Sequence, residues 1–205
     1  LLGIFLRSME RPQTNWTFED TLTQIGLGYT LLFLLAFASR RVQAGVFVAT
    51  LVGFWAAFVL YPRPGAAFDY AAVGVPPGWP HLYSGFLAHF NMNSNVSWAF
   101  DTWFLNLFPR ESPFRFNDGG WSTLSFIPTL ATMMLGTWAG AWLKSARTQA
   151  EKLKGLVASG VALTFAGLLL QWLQLCPIVK RIWTSSYTLY SGGLILLILA
   201  GFYAA

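Results

Sequence analysis

The chain has 205 residues, of which 55% are hydrophobic and only 10% charged, against roughly 25% charged in soluble domains, which excludes an ordinary soluble domain and points to lipid. The formal net charge of +5 comes from 13 basic residues scattered among apolar runs without a continuous basic stripe, so no nucleic-acid partner is expected. The single cysteine, Cys176, excludes an intrachain disulfide; no paired Cys/His spacing suggests a metal site, and a buried, inert thiol is expected.

Residues 1–6 are apolar and stop at Arg7. A signal peptide would carry its positive charge before the apolar run, so this stretch reads as the last turns of a membrane helix. Residues 187–205 run apolar to the last position, and the chain reads as a fragment of a longer polypeptide. Apolar runs near the 20 residues or so that cross about 30 Å of hydrocarbon give five spans, at about 21–38, 42–61, 121–143, 155–173 and from about 187. Only Ser39-Arg40-Arg41 separates the first two, which predicts a tight helical hairpin. The third contains Pro128, and its Gly136 and Gly140 lie on one face, a spacing that lets helices approach closely in lipid. Inside the spans the polar side chains read as Gln24, Gln171 and hydroxyls, and no buried charge suggests a proton relay.

Arg40, Arg41, Lys144, Arg147, Lys152 and Lys154, with Glu151 the one acid among them, fall in two short connections on one side, which the distribution of basic residues marks as cytoplasmic. The exterior side then holds residues 7–20, 62–120 and 176–186, including the sequons at Asn15 and Asn95. The 62–120 loop is long for a helix connection and too aromatic to be disordered. It is expected to fold over the membrane face and to contain a short amphipathic helix near 95–107. Residues 1–205 are expected to form one all-α transmembrane domain, a multi-pass helical bundle.

The densest polar cluster is Asn91, Asn93 and Asn95, followed by Asp101, Trp103, Asn106, Asn117 and Asp118. Amides at alternate positions beside aromatic rings suit a carbohydrate or polar headgroup; a solvated loop whose asparagines make turns fits equally well. Asp118 also stands where it would cap the third span. His81 follows the stiff run Pro76-Pro77-Gly78-Trp79-Pro80 and reads as structural, whereas His89, beside the asparagines, is a candidate general base. Lys180 and Arg181 can pair with phosphate or carboxylate, or snorkel to headgroups, and Trp183 can anchor at the interface.

Taken in order, Thr23-Gln24-Ile25-Gly26-Leu27-Gly28-Tyr29, Asn93-Ser94-Asn95 leading into Phe100-Asp101-Thr102-Trp103-Phe104-Leu105-Asn106, Phe116-Asn117-Asp118-Gly119-Gly120-Trp121-Ser122-Thr123-Leu124, and Pro177-Ile178-Val179-Lys180-Arg181-Ile182-Trp183-Thr184 resemble the heparan-α-glucosaminide N-acetyltransferase family, and its bacterial relatives in particular. The resemblance implies a multi-pass enzyme with acetyl-CoA as donor and an amino-sugar or related glycan acceptor facing the exterior loops. It places Asp101, Asn106, residues 117–120, Lys180, Trp183 and Thr184 on family segments. Two departures limit it: the family commonly has Gln-Arg where this chain has Thr23-Gln24, and the family's proposed catalytic histidine belongs upstream of Leu1, so it is not carried over to His81 or His89.

The leading expectation is a membrane acyltransferase in the bacterial inner membrane. The alternatives are a transporter or flippase of a glycan or lipid intermediate, for which Pro128 is the only candidate helix break, and a noncatalytic membrane subunit. The bilayer and the acceptor are the expected partners, and association into a homo-oligomer is left open.

Overall fold

Asp20 opens the first long helix: its Oδ1 accepts the Thr23 backbone N–H at 3.0 Å and its Oδ2 the Thr23 hydroxyl at 2.7 Å, which occupies a donor that a helix start leaves free. The structure, a computed structural model, describes residues 1–205; it is 63% helix with no strands, an all-α bundle. A short helix α1 (Leu2–Ser8) precedes α2 (Thr21–Ala36). After Phe37 and Ala38 the chain turns, and Ser39 caps α3 (Arg40–Leu60) by accepting the Val42 N–H, so the expected hairpin forms. A 3₁₀ turn over Thr123–Ser125 leads into α5 (Phe126–Leu143), after α4 (Val96–Phe104) in the long loop. Thr148 and Glu151 form a reciprocal capping box at the head of α6 (Gln149–Trp172), and Thr184 caps α7 (Ser185–Ala204).

Four helical segments, Arg40–Leu60, Thr123–Leu143, Gln149–Trp172 and Ser185–Ala204, are long and apolar enough to cross a membrane. The first of the five expected spans is shorter. Phe37 and Ala38 leave the helix to make the hairpin turn, so α2 keeps 16 residues, about 24 Å at roughly 1.5 Å per residue. The surface is the opposite of a soluble protein's. Gln24, Gln43, Thr129, Ser185, Ser186 and Thr188 are buried, while Phe33, Val48, Phe165, Ile198 and Phe202 are exposed. Apolar outer faces around a partly polar interior are what hydrocarbon solvent selects, and the chain is an integral membrane protein.

Hydrogen bonds between spanning helices carry much of the specificity. The Thr129 hydroxyl donates to Gln24 Oε1 at 3.2 Å, joining α2 to α5, and the Ser185 hydroxyl donates to Leu51 O at 2.7 Å, joining α3 to α7. Gln43, absent from the polar residues expected inside the spans, does most. Its Nε2 donates to Leu35 O and Ala38 O across the hairpin at 3.0 and 3.1 Å, and its Oε1 accepts the Trp138 indole N–H at 2.7 Å. The close helix approach also lies elsewhere than expected. A Cβ on Gly136 or Gly140 would meet nothing within 4 Å, whereas one on Gly193 of α7 would fall 2.6 Å from Gly160 O of α6, and one on Gly167 would fall 2.7 Å from Ser186 O. The α5 glycines face away from any neighbour; α6 and α7 meet glycine to glycine.

The ends of α3 and α6 and the starts of α5 and α7 share one end of the bundle, and the loops there pack together. Trp55 of α3 donates its indole N–H to Leu175 O at 2.8 Å, Phe58 stacks on Phe90 with centroids 5.3 Å apart and planes 9° from parallel, and Arg181 donates to Gly119 O at 2.7 Å. The segment before α2 joins them, with Trp16 stacked on Phe108 and Arg110 donating to Trp16 O at 2.8 Å. The long loop is therefore a folded cap. Its helix α4, extended by a 3₁₀ turn over Leu105–Leu107, occupies the place of the expected amphipathic helix.

Candidate functional site

The three alternate asparagines hold the cap together from inside. Asn91 donates to the Tyr70 hydroxyl and to Tyr83 O, and its Oδ1 accepts the Tyr83 N–H at 2.8 Å. Asn93, in a left-handed backbone conformation that asparagine tolerates, donates to Val73 O and Asn117 O, both at 2.9 Å. Asn95 donates to Asn91 O and caps α4 by accepting the Trp98 N–H. All three are at most 4% exposed. Their amides are committed to neighbouring backbone and side-chain groups, so of the two readings of this row, carbohydrate contact or turn-making asparagines, the structure favours the second, with the side chains buried as structural staples rather than solvated. Asn106 is another: it donates to Thr102 O and Phe114 O and accepts the Phe114 N–H.

With Asn95 as cap, α4 turns Ser97, Asp101 and Leu105 inward and leaves Trp103 outside at 61% exposure. Trp103 therefore lies on the face opposite Asp101. Asp101 reaches the head of the next spanning segment, where its Oδ2 accepts the Thr123 backbone N–H at 3.0 Å. This corrects the expected capping role of Asp118, which is exposed and lies on a loop turn. The other carboxylate oxygen of Asp101, the Ser97 hydroxyl one turn earlier, and the Thr123 hydroxyl are all buried without a hydrogen-bond partner. Unsatisfied buried polar atoms are rare and mark strain, chemistry or a missing donor.

Asp101 forms part of the floor of a cleft of about 500 Å³ whose walls carry Arg11, Glu19, Arg110, Arg115, Asn117, Asp118 and Trp121. Burial raises the Asp101 pKa to about 6, and the nearby charge of Glu19 adds to the rise; the Thr123 N–H pulls the other way, as does the Thr123 hydroxyl, which is close but outside hydrogen-bond geometry. Burial also lowers the Arg110 guanidinium from its ordinary value, against the attraction of Glu19, and its charge lies 5.5 Å from the Phe114 ring centre. A carboxylate made more basic by burial, with three guanidinium groups around it, has the chemistry to take a proton from a solute and hold its anionic groups.

The remaining predicted residues lie elsewhere. His89 directs Nδ1 at Tyr61 O, 3.0 Å away, and stands outside the cleft. Burial first, and then the positive charge of Arg63, lower its pKa. Lys180 and Arg181 line a second cavity, with His81 and Trp79. Trp183, read as an interfacial anchor, turns inward and donates its indole N–H to the Thr132 hydroxyl of α5 at 3.1 Å. Cys176 is buried, with the Ser186 hydroxyl 3.3 Å from its sulfur, and burial pushes the thiol up. No three His, Cys, Asp or Glu side chains gather as a metal set.

Among the predicted residues, the cleft brings together Asp101, Asn117 and Asp118. Arg11, Glu19, Arg110, Arg115 and Trp121 were not anticipated, because they come from segments far apart in sequence and follow no common spacing; the one signal was the density of charge at 110–115 in so apolar a chain. No protein-family model matches the chain, and comparison with curated proteins and with solved structures finds no match either.

Proposed function

We propose that the protein is a membrane-bound acyltransferase that moves acetyl from acetyl-CoA to the amine of an amino sugar or related glycan, with Asp101 as the proton acceptor. The observation that carries this reading is the buried Asp101 carboxyl, with one oxygen held by Thr123 and the other unpartnered, on the floor of a polar cleft. Its pKa of about 6 suits a base working near neutral pH. The N–H of an acceptor amine would be the donor that this oxygen lacks once the amine displaces the side chains that now cover it. Over the whole transfer the thioester C–S bond breaks and an N–C bond to the acceptor forms; Asp101 would take the amine proton and release it to water on the cleft side, while the thiolate leaves, and is protonated, on the side from which the donor came. Arg11, Arg110 and Arg115 would orient carboxylate or sulfate groups of the glycan, and Trp121 offers an aromatic face for a sugar ring. Acetyl-CoA supplies the activated acetyl group and enters this reading through the family resemblance; the cleft residues speak to the acceptor.

The orientation belongs to the same proposal. Arg40, Arg41, Lys144, Arg147, Lys152 and Lys154 lie at the bundle end away from the cap, which makes that end cytoplasmic and turns the cleft to the exterior of a bacterial inner membrane. The transporter alternative drew on Pro128, and that residue sits in the first turn of an unbroken α5, where its missing N–H costs little.

The test is acetyl transfer from labelled acetyl-CoA to glucosamine-terminated oligosaccharide by the membrane-inserted protein. Asp101→Asn is expected to lower the rate about a hundredfold or more with membrane insertion unchanged. Equal rates for the two proteins would remove Asp101 from the chemistry, and no donor-dependent product from either would overturn the acyltransferase reading.

A further inference from the structure

Residues 117–120 form a partition. Asn117 and Asp118 face the Asp101 cleft, while Gly120 lines a second cavity of about 280 Å³ on the other side. This second cavity has a different chemistry. Phe90, Met92, Ile178 and Ile182 make it apolar within, His81, Lys180 and Arg181 bring nitrogen donors to it, and no carboxylate lines it. Arg181 is held in place from two directions: it donates to Gly119 O at 2.7 Å, and its charge lies 5.6 Å from the centre of the Trp79 ring. That leaves the other N–H groups of the guanidinium for a ligand. Lys180 beside it is exposed.

The position of the cavity limits what fills it. Residues 178–182 belong to the link between Trp172 and Ser185, where two spanning helices end, and Trp172 is 78% exposed at that level, as aromatic residues are at a membrane boundary. Headgroup phosphates lie near the ends of membrane-spanning helices. An apolar chamber with fixed cations and no acid, placed there, fits a molecule that is anionic at one end and hydrocarbon at the other. We propose that this cavity binds the phosphate of an anionic lipid, with Lys180 and Arg181 on the phosphate oxygens and the first methylenes of the tail against Phe90, Ile178 and Ile182. General attraction of surface lysines to headgroups would be unsaturable and indifferent to which lysine is removed; a built site is neither.

The experiment is titration of the purified chain, in uncharged maltoside micelles, with dodecyl phosphate and separately with inorganic phosphate, followed by native mass spectrometry and by thermal unfolding. Dodecyl phosphate is expected to bind one per chain and to raise the melting temperature, with inorganic phosphate far weaker. Lys180→Gln, a change at an exposed side chain, is expected to weaken dodecyl phosphate about tenfold, the equivalent of about 1.4 kcal/mol, and Lys152→Gln at the opposite end of the bundle to leave it unchanged. Unsaturable binding, equal weakening by the two lysine variants, or unchanged affinity in Lys180→Gln would overturn the proposal. Equal affinity for inorganic phosphate would overturn the lipid and leave a free-phosphate site. None of these readouts involves acetyl transfer, so the outcome is independent of the proposed activity.

Discussion

Asp101 Oδ2 accepts the Thr123 backbone N–H at 3.0 Å, and this bond ties the helix of the extramembrane cap to the first turn of a spanning segment. A carboxylate at a helix start satisfies a free donor and meets the positive end of the helix dipole. Here the carboxylate comes from another element, 22 residues earlier in the chain, so the placement of the cleft and the start of the span are one event. The same residue thus serves the fold with one oxygen and keeps the other buried and unpartnered beside the cleft that it lines.

Stability should carry the signature of this buried carboxyl. Its pKa rises from 3.8 to about 6 on folding, so between those values the native state keeps a proton that the unfolded state has released. The contribution of Asp101 therefore declines as pH rises from about 4 to about 6 and levels off above, a change on the order of 3 kcal/mol. Asp101→Asn keeps an oxygen for Thr123 and removes the ionisation. Melting curves in detergent should show the variant gaining on the parent between pH 4 and pH 7; a gap that stays constant would mean that Asp101 titrates as it does in water.

Gln43 should be costly to replace. In Gln43→Leu the carbonyl of Ala38 and the indole N–H of Trp138 lose this partner, while Leu35 O keeps the Ala38 N–H, and a loss of about 2 kcal/mol is expected. The melting temperature reports it. A variant as stable as the parent would show that the α2–α3 hairpin does not depend on this side chain.

The glycines separate two kinds of position. Gly193→Ala drives a methyl group against Gly160 O and should cost about 1–3 kcal/mol as α6 and α7 move apart. Gly136→Ala meets open space and should change stability by less than about 0.5 kcal/mol. Paired unfolding measurements decide it, and equal losses would contradict the packing of these helices.

Part of the site was readable in advance. Asp101, Asn117 and Asp118 stood out as polar residues in an aromatic loop, and all three line the cleft. Asn91, Asn93 and Asn95 stood out on the same grounds and point into the cap. An asparagine amide bonds equally well to a sugar or to a backbone carbonyl, and only the course of neighbouring segments selects between them. Gln43 was hidden for a related reason: next to Arg40 and Arg41 it looks like the polar edge of a helix, until the hairpin brings two carbonyls and Trp138 to it.

What the sequence determined by itself is local: the lengths of the apolar runs, the Ser39 stop between α2 and α3, and the basic residues of the short connections. These follow from hydrogen-bonding demands and transfer energies that act over one or two helical turns. Tertiary structure alone decided that Arg11, Arg110 and Asp101 share a cleft, that α6 and α7 rather than α5 make the glycine contact, and that one carboxylate oxygen is left without a donor. Each of these depends on which faces of distant segments meet, and no spacing along a single segment encodes that.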